Sequence, residues 1–293
     1  MLLSVLLDGV QVLSGYEDRN VGTIVNDSRK VKPGDVFVCI NGAAADGHQF
    51  ADPALQKGAA AIVCERDLGL KEQILVEDTH LAYSKMAANF YDNPSKKLRL
   101  IGVTGTNGKT TTTKLVKSVL TGIGKKVGLI GSIQNEIGDE VIHAEQTTPD
   151  AMELEGLYAR MVDAGCEFCV MEVSSHALDQ HRIGDSHYEV AVFTNLTQDH
   201  LDYHKTMENY FEAKAKLFDI CDSAVINYDD SYGQRLLKSI SCPVSTISME
   251  SPKADLHAFD IVYHPDGVEY RFDYQGIVSR VSFGMPGIFS VKN

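Results

Sequence analysis

The architecture of this chain follows from two adjoining segments, Leu98-Arg99-Leu100-Ile101-Gly102-Val103 and Gly105-Thr106-Asn107-Gly108-Lys109-Thr110-Thr111. The first is an apolar run typical of a buried strand, and the second is a glycine-rich turn that leads into a helix. Glycines allow backbone N–H groups to converge on phosphate oxygens, and the helix N-terminus adds the positive end of its dipole. We therefore predict that this loop binds a nucleoside triphosphate, with Lys109 on the β- and γ-phosphates and the Thr110 hydroxyl on Mg²⁺.

The spacing of the loop departs from the common phosphate-loop pattern, which places a glycine five residues before Gly108. Val103 stands at that position, and Gly102 is one place too early. The alternative interpretation is a glycine turn with an incidental lysine. The flanking strand and helix argue against that alternative.

The composition is that of a globular protein with two domains. The 293 residues are 44% hydrophobic and 23% charged, which excludes disordered, fibrous and low-complexity classes. Turn residues at 92–97 interrupt the pattern, so we predict domains at residues 1–94 and 95–293. The formal charge of −13 repels nucleic-acid backbones and anionic lipids, so we expect neither nucleic acid nor membrane as a partner. No apolar run approaches the ~20 residues that cross a bilayer, and residues 1–8 are predicted to belong to the fold and not to a secretion signal.

Strand and helix signals alternate along most of the chain. Helices are predicted after Thr79 as a possible cap, after the phosphate loop, at Thr148-Pro149 as cap and first helical residue, and from about Thr206 to Phe218. Strands are predicted at residues 36–40, 60–63, 98–103, 127–130, 168–173, 189–193 and 224–227. This alternation predicts an α/β fold with a mostly parallel sheet and helices on both faces.

The six cysteines, at residues 39, 64, 166, 169, 221 and 242, lie mostly in apolar runs, where small buried thiols are expected. Cys166 and Cys169 form a closely spaced pair, but no second pair completes a zinc site. We favour a reduced, cytoplasmic protein over a redox or metal role for this pair.

Two side chains at predicted strand ends are candidate ligands for a divalent cation. Glu172 ends the strand at 168–173, and His200 follows the strand at 189–193. Ligands gather at the carboxyl ends of parallel strands, so both side chains could meet near the phosphates. The alternatives are a capping or salt-bridged role for Glu172 and a turn role for His200, and each is about as strong as the metal role.

Lys214 occupies the apolar face of its predicted helix. It shares that face with Met207, Tyr210, Phe211, Leu217 and Phe218, whereas Lys216 points outward. A buried ammonium is rare without a partner, so Lys214 is either a lysine whose amine reaches the surface or one with a lowered pKa. A neutral amine can take up CO₂ to form a carbamate, which is an anionic oxygen ligand for a metal.

Together these residues resemble the Mur ligases, the ATP-dependent amide-bond synthetases of peptidoglycan assembly, and in particular their MurE branch. The resemblance covers essentially the whole chain. It is carried by the phosphate loop and by the segments Asp27-Ser28-Arg29-Lys30-Val31-Lys32-Pro33-Gly34-Asp35, Asp46-Gly47-His48, Thr147-Thr148-Pro149, Met171-Glu172-Val173-Ser174-Ser175-His176-Ala177-Leu178, Gln180-His181-Arg182 and Thr194-Asn195-Leu196-Thr197-Gln198-Asp199-His200-Leu201-Asp202-Tyr203-His204.

The resemblance implies a first domain that holds the UDP end of the substrate and a second that binds ATP. It assigns the UDP-sugar to Ser28, Gly47, His48 and Gln49, and the sugar-peptide part to Thr147, Thr148, Ser174, Gln180 and Arg182. It assigns Mg²⁺ to Glu172, His200 and the carbamate of Lys214, beside Thr110, and adenine to Asn227. Lys109, His200 and Lys214 are thereby the candidate catalytic residues.

The implied reaction adds the third amino acid, diaminopimelate or lysine, to UDP-MurNAc-L-Ala-D-Glu through an acyl phosphate. In the family a third domain binds the incoming amino acid and completes the ATP site. The segment Gly284-Met285-Pro286-Gly287-Ile288-Phe289-Ser290-Val291-Lys292-Asn293 resembles the junction to that domain, so we expect a truncated chain that cannot complete ligation alone.

Three other functions share part of this pattern. The first is a P-loop GTPase or kinase, but a GTPase should carry an Asn-Lys-x-Asp motif, and no asparagine here precedes a lysine. A folylpolyglutamate-synthetase-like ligase would share the ATP loop without the UDP segments. A non-catalytic fragment that binds nucleotide or UDP-sugar is the third alternative.

Overall fold

The computed structural model describes residues 1–42 and 45–292, so Asn293, the last residue of the quoted junction, lies outside it. The chain packs as two compact units. Unit 1 comprises Met1–Lys97, Pro149–Arg160 and Gln180–Asp185, and unit 2 comprises Leu98–Thr148, Met161–Asp179 and Ser186–Asn293. Both units are α/β, which confirms the predicted class. The domain boundary between residues 94 and 95 stays a prediction, and two segments from later in the chain pack with unit 1.

Unit 1 is built on a four-stranded parallel sheet in the order β1-β2-β3-β4. Its strands are β1 (Ile24–Val25), β2 (Val36–Val38), β3 (Ala61–Cys64) and β4 (Gln73–Leu75). Its helices are α1 (Leu3–Leu6), α2 (Ala51–Gln56) and α3 (Thr79–Phe90), with 3₁₀ turns at Gly47–Phe50 and Pro94–Lys97.

Both faces of this sheet are covered, as a parallel sheet requires. Successive strand residues point to opposite faces, so Val36 and Val38 join the core cluster that contains α1 and α3 residues, while Phe37 joins the cluster beside α2. The predicted cap of α3 is wrong by one residue. The Asp78 side chain caps the helix by accepting from Leu81 N, and the Thr79 hydroxyl instead donates to Glu65 at 2.7 Å.

Unit 2 is built on an eleven-stranded sheet in the order β15-β14-β13-β12-β11-β10-β5-β9-β6-β7-β8. The strands are β5 (Arg99–Thr104), β6 (Val127–Ile130), β7 (Gln134–Ile137), β8 (Glu140–His143), β9 (Phe168–Glu172), β10 (Tyr188–Phe193), β11 (Cys221–Asn227), β12 (Val244–Ser248), β13 (Leu256–His264), β14 (Gly267–Tyr274) and β15 (Ile277–Phe283).

The centre of this sheet is parallel, and antiparallel strands extend it at both ends. Strand β5 lies between β9 and β10, so the carboxyl ends of these three strands meet at one edge. Such a point, where neighbouring strands lead to opposite sides, is where open α/β sheets bind ligands. The helices that follow β5 in the chain are α4 (Lys109–Gly122), α5 (Ala151–Asp163), α6 (Ser175–Asp179), α7 (Leu201–His204), α8 (Met207–Ala215), α9 (Ser231–Leu236) and α10 (Phe289–Lys292), with a 3₁₀ turn at Lys216–Asp219 after α8. Most of α5 belongs to unit 1, which includes Pro149–Arg160.

The Thr148-Pro149 helix start is also wrong. Helix α5 begins at Ala151, and the Asp150 carboxylate accepts from Glu153 N at 3.1 Å. The Thr148 hydroxyl is used elsewhere, because it donates to Glu172 O at 2.9 Å and accepts from Ser174 N at 3.0 Å.

Within the described residues, no helix combines the length and the apolar character that crossing a bilayer would demand.

Candidate active site

The phosphate loop joins the end of β5 to the start of α4. Gly108 has φ +89° and immediately precedes Lys109, the first helical residue, so a side chain there would strain the backbone. Gly105 has φ +146°, and a Cβ on it would come 1.9 Å from Thr194 Oγ1. No side chain in the described part of the chain caps α4. The first-turn N–H groups of this helix therefore form an arrangement suited to an anion.

The segment after β10 holds the loop in place. Thr106 N donates to Asn195 O at 2.9 Å, and Asn107 N donates to Asn195 Oδ1 at 3.0 Å. The Thr194 hydroxyl donates to Asn107 O at 2.6 Å. The shape of the loop is thus fixed by hydrogen bonds to the segment that follows β10.

Lys109 lies inside this loop. Its Nζ donates to Gly105 O and to Thr106 O, both at 2.9 Å. Burial lowers the pKa of Lys109, while the charges of Glu172 and Asp199 act in the opposite direction. The amine is therefore held at the loop by carbonyl groups and faced by two carboxylates.

Glu172, the last residue of β9, is 1% exposed and bonded on both carboxylate oxygens. Oε1 accepts from the Thr110 hydroxyl at 2.8 Å and from Ser132 N at 3.0 Å, and Oε2 accepts from the Ser132 hydroxyl at 2.9 Å. A Cβ on Gly131 would lie 2.5 Å from Oε1, so only glycine leaves room for this carboxylate. The structure therefore brings two of the predicted metal ligands, Thr110 and Glu172, into direct contact.

Lys214 is 2% exposed, on the buried face of α8. Its Nζ donates to Gly105 O at 3.0 Å and lies 4.7 Å from the centre of the Tyr210 ring. Burial, and then the charge of Lys109, hold the pKa of Lys214 well below its ordinary value, against the opposing charge of Asp199. Two lysines thus converge on one carbonyl oxygen of the phosphate loop.

His200 lies among aromatic side chains near Lys214. It has φ +50° and a side chain that is 46% exposed. Its ring lies 4.9 Å from that of His176 and 6.0 Å from that of Tyr210. Tyr210 is also the ring beneath Lys214, so these two predicted ligands flank one aromatic side chain.

The donor set fits Mg²⁺ in kind. A threonine hydroxyl and a glutamate carboxylate are hard oxygen donors, which Mg²⁺ prefers alongside water and phosphate. A lysine ammonium has no lone pair to offer, so Lys214 fits only as its carbamate. Among residues 1–42 and 45–292, no three His, Cys, Asp or Glu side chains are grouped so as to hold a metal ion. The four-residue metal set stays a prediction.

The predicted sugar-peptide residues of unit 2 surround Glu172. The Thr147 hydroxyl accepts from the Ser132 hydroxyl at 3.0 Å, and Thr148 bonds the main chain at both ends of residues 172–174. The Ser174 hydroxyl accepts from Ala177 N at 3.2 Å, within the first turn of α6. Thr147 is thus linked to the carboxylate through Ser132, whereas Thr148 fixes the main chain of residues 172 and 174.

In unit 1 the predicted UDP residues lie on two loops. Ser28 O accepts from Lys57 Nζ at 2.8 Å. His48 is 5% exposed, with Nδ1 2.6 Å from Asp46 Oδ1 and Nε2 accepting from Glu65 N at 3.0 Å. Both ring nitrogens are therefore used within the protein. Gly47 is also buried, and its N–H donates to Ile40 O at 2.9 Å, so Gln49 is the exposed residue of the predicted segment 47–49.

Gln180 and Arg182 form a local pair, also in unit 1. Arg182 donates from Nε and from Nη2 to Gln180 Oε1, at 2.9 and 2.7 Å. This fork fixes the orientation of the guanidinium group. Unit 1 also has a cavity of about 570 Å³ lined by Asp78, Lys85 and Asp185 among others, but none of the predicted UDP residues lines it.

Asn227, the predicted adenine contact, ends β11 and is 8% exposed. Its Nδ2 donates to Thr194 O at 2.8 Å, and its Oδ1 accepts from Asp229 N at 3.0 Å. It also lines a cavity of about 370 Å³ in unit 2 whose walls are largely apolar, including Val116, Val192 and Leu256. A flat heterocycle needs such walls with few polar groups.

Three residues of this site were missed as functional candidates from the sequence. Ser132 bonds Glu172, Asn195 shapes the loop, and Asp199 faces both lysines. Ser132 lies two residues after the end of β6, so the rule that ligands gather at strand ends would have found it. Asn195 and Asp199 lay within a quoted segment, but nothing in their spacing indicated these contacts.

Two family models match this chain. The model described as the Mur ligase middle domain matches residues 103–293, and the model described as the Mur ligase family catalytic domain matches residues 20–94. Curated relatives include the UDP-N-acetylmuramoyl-L-alanyl-D-glutamate–2,6-diaminopimelate ligases of Clostridium perfringens and Clostridium botulinum, both 44% identical. The first match covers 100% of this chain and 62% of the relative, and the second covers 94% and 58%.

Solved structures of Mur ligases also match this chain. A UDP-N-acetylmuramoyl-L-alanyl-D-glutamate–2,6-diaminopimelate ligase matches with a TM-score of 0.86 at 28% identity, over 100% of this chain and 61% of that chain. MurF from Acinetobacter baumannii matches with a TM-score of 0.65 at 18% identity, over 99% of this chain and 62% of that chain, which shows the fold alone. The chain spans about 60% of the length of the curated relatives it matches.

Proposed function

The chain belongs to the Mur ligase family, and on that premise we propose that it is the UDP-sugar-binding and ATP-binding part of a ligase. The reaction joins 2,6-diaminopimelate to UDP-N-acetylmuramoyl-L-alanyl-D-glutamate. The relatives at 44% identity carry that activity in their names. Because the chain spans about 60% of their length, the ligation itself is proposed for a polypeptide that also carries the remaining part.

The observation that supports this proposal best is the position of Lys214. A phosphate loop that only holds a nucleotide needs Lys109 and Thr110, not a second lysine on the same carbonyl oxygen. Burial and the charge of Lys109 lower the pKa of Lys214, which favours the neutral amine, and a neutral amine is the form that takes up CO₂. The resulting carbamate would face the nucleotide edge of the sheet as a further anionic oxygen ligand.

Thr110, Glu172, His200 and the Lys214 carbamate would hold Mg²⁺. When bound, the ion would neutralise charge on the phosphate oxygens. Lys109 would place a second positive charge on the β- and γ-phosphates, and Arg182 would hold the anionic end of the peptide substrate. These charges are required because a carboxylate and a triphosphate repel each other as they approach.

In the proposed reaction the terminal carboxylate oxygen of the substrate attacks the γ-phosphorus, and the bond to the ADP oxygen breaks. The product of this step is an acyl phosphate. The amine of the incoming amino acid then attacks the acyl carbon, loses a proton and expels inorganic phosphate. The hydroxyl groups of Thr147, Thr148 and Ser174 around Glu172 would orient the peptide end of the substrate.

Calorimetric titration of this chain tests the proposal. We expect UDP-MurNAc-L-Ala-D-Glu to bind, and a non-hydrolysable ATP analogue to bind in the presence of Mg²⁺. Binding of a folate substrate instead of the UDP-sugar would favour a folylpolyglutamate-synthetase-like ligase, whose solved structures at 16–17% identity share the fold with this chain. Binding of neither nucleotide nor UDP-sugar would overturn the proposal. We expect no tripeptide product from this chain alone, and steady-state formation of that product would contradict this expectation.

Ser132→Ala is expected to weaken the affinity for Mg²⁺ in the presence of the ATP analogue by about tenfold. The substitution removes the 2.9 Å bond to Glu172 Oε2, and a hydrogen bond to a charged group is worth ~1.5–3 kcal/mol. The backbone bond from residue 132 to Oε1 remains, so Glu172 should loosen without leaving the site. A titration of Mg²⁺ against the nucleotide complex measures the effect.

The matched control is Ser223→Ala, whose hydroxyl donates to Glu189 O at 3.1 Å, away from the carboxyl ends of the strands. We expect its Mg²⁺ affinity to equal that of the unmodified chain. Equal affinities in both variants would show that Ser132 does not position Glu172.

A further inference from the structure

The cysteines that lie in contact in the structure, Cys221 and Cys242, are distant in the sequence. Five of the six cysteines are buried, and Cys242 is the partly exposed one. The exposed fractions of the buried five are Cys39 0%, Cys64 0%, Cys166 6%, Cys169 0% and Cys221 8%. Only one thiol is therefore open to reagents dissolved in water.

Cys242 lies in contact with Cys221, with their sulfur atoms 3.7 Å apart. Cys221 is the first residue of β11, and Cys242 lies two residues before β12. The two strands are parallel and Ala224 pairs with Val244, so the pairing of the strands brings the two thiols together. A disulfide has a sulfur–sulfur distance of ~2.05 Å, so bond formation would bring the two sulfur atoms closer than their present 3.7 Å.

We propose that Cys221 and Cys242 form a peroxide-sensitive thiol pair, which closes to an intramolecular disulfide between the start of β11 and the segment before β12. The thiolate of Cys242 attacks one oxygen of hydrogen peroxide, the O–O bond breaks, and a sulfenic acid forms with loss of hydroxide. The sulfur of Cys221 then attacks the sulfenic sulfur, loses its proton, and expels the oxygen as water. Two thiols and one peroxide become one disulfide and two molecules of water.

The order of these steps follows from the surroundings of each sulfur. Cys221 donates to Phe218 O at 3.7 Å and is buried, and burial together with Cys242 raises its pKa to about 12. The thiol of Cys221 is thus protonated and shielded before the reaction. Cys242 is the sulfur that a dissolved oxidant reaches first, and Cys221 is the resolving partner.

The disulfide would stabilise the fold of unit 2 and would not alter the phosphate loop at the carboxyl ends of the strands. It would join the ends of the segment that contains β11 and α9. Asn227 stands at the opposite end of β11 from Cys221. We therefore expect oxidation to raise the unfolding temperature of unit 2 by on the order of 5 °C and to leave affinity for the ATP analogue unchanged within about twofold. The inference does not depend on the proposed ligase function.

The test is treatment of the whole chain with hydrogen peroxide under native conditions. The thiol count after denaturation should fall from the six cysteines of the sequence by two, the protein should stay monomeric on a non-reducing gel, and dithiothreitol should restore the count. Peptide mapping should show Cys221 joined to Cys242. Linkage between two chains, linkage to a different cysteine, or no loss of thiols would each overturn the proposal.

Variants separate the two roles. Cys242→Ser should abolish the loss of thiols at the same peroxide dose. Cys221→Ser should stop the reaction at the sulfenic acid, which dimedone would trap on Cys242. Cys166→Ser is the matched control and should form the same disulfide as the unmodified chain. Disulfide formation that persists in Cys242→Ser, or that disappears in Cys166→Ser, would refute the assignment.

Discussion

Replacing Lys109 with alanine is expected to lower the affinity for Mg²⁺-ATP by at least ~100-fold, which corresponds to about 3 kcal/mol. The reason is the position of its amine, which lies on the phosphate loop and is held there by Gly105 O and Thr106 O. Hydrogen bonds from a cation to phosphate oxygens are among the strong ones in proteins. In the complete ligase, ATP turnover should be abolished.

Loss of binding in this variant will not reflect loss of the fold. Gly105 O still accepts from Lys214 Nζ at 3.0 Å, and the bonds from the loop to Asn195 do not involve Lys109. The thermal midpoint should therefore change little. Calorimetric titration with the ATP analogue, together with a thermal scan, measures both quantities.

Lys114→Ala is the matched control. Lys114 lies on the same helix and is exposed, so its removal changes the net charge equally without touching the loop. We expect its affinity to stay within about twofold of the unmodified chain. If Lys109→Ala and Lys114→Ala bound the analogue equally well, Lys109 would have no specific role at the phosphates.

The elements around the phosphate loop could be predicted because their signals are local. Strand β6 was predicted at residues 127–130 and is observed at Val127–Ile130. The buried face of α8 could be predicted from the spacing of its apolar residues, and with it the burial of Lys214. The helix start predicted at Thr148 is wrong because the Thr148 hydroxyl donates to the main chain of β9, at Glu172 O, and does not cap the helix that follows.

The C-terminal strands were not predicted, and their burial pattern explains why. Strand β15 alternates between exposed and half-buried positions, and β13 reaches burial at Ala258 alone. An apolar run cannot mark such strands, because antiparallel ladders with one open face need only every second residue to be apolar. Their place in the sheet depends on partners distant in the chain.

Contacts within the site could not be predicted from the sequence either, because they also join residues that are distant in the chain. The sequence indicates that Glu172 stands at a strand end, but not that Ser132 bonds both of its oxygens. The aromatic link from His200 through Tyr210 to Lys214 likewise joins side chains whose proximity depends on how α8 packs. The sequence thus predicts which residue types could take part in the chemistry, but it does not predict which of their side chains lie in contact.

A second large effect is expected at Glu155, a side chain that no sequence pattern marked as buried. It lies on α5 within unit 1, is 2% exposed, and its Oε2 has no hydrogen-bond partner among the described residues. Burial, and then the charge of Asp185, raise the pKa of Glu155 from 4.5 to about 8. Asp185 itself is paired with Lys85 at 2.6 Å, so this lysine is already bonded to another carboxylate.

The sign of the pH dependence follows from this shift. Between pH 4.5 and 8 the folded chain keeps the Glu155 proton that the unfolded chain releases, so the free energy of unfolding falls by ~1.4 kcal/mol for each pH unit of increase. The contribution of the protonated Glu155 to the free energy of unfolding is therefore fully present below pH 4.5 and is lost above about pH 8. Over the whole window, from pH 4.5 to about 8, the loss amounts to at most about 5 kcal/mol.

Glu155→Gln should remove this dependence, because glutamine keeps the shape of the protonated acid and has no proton to lose. Near pH 8 the variant should be more stable than the unmodified chain by a few kcal/mol, whereas at about pH 5 the two should nearly coincide. Urea unfolding across the window measures both, and Glu77→Gln, an exposed glutamate of unit 1, is the control that should follow the unmodified chain. A variant that is destabilised near pH 8 would mean that the Glu155 carboxylate is charged and stabilising in the fold, which reverses the sign argued from its burial.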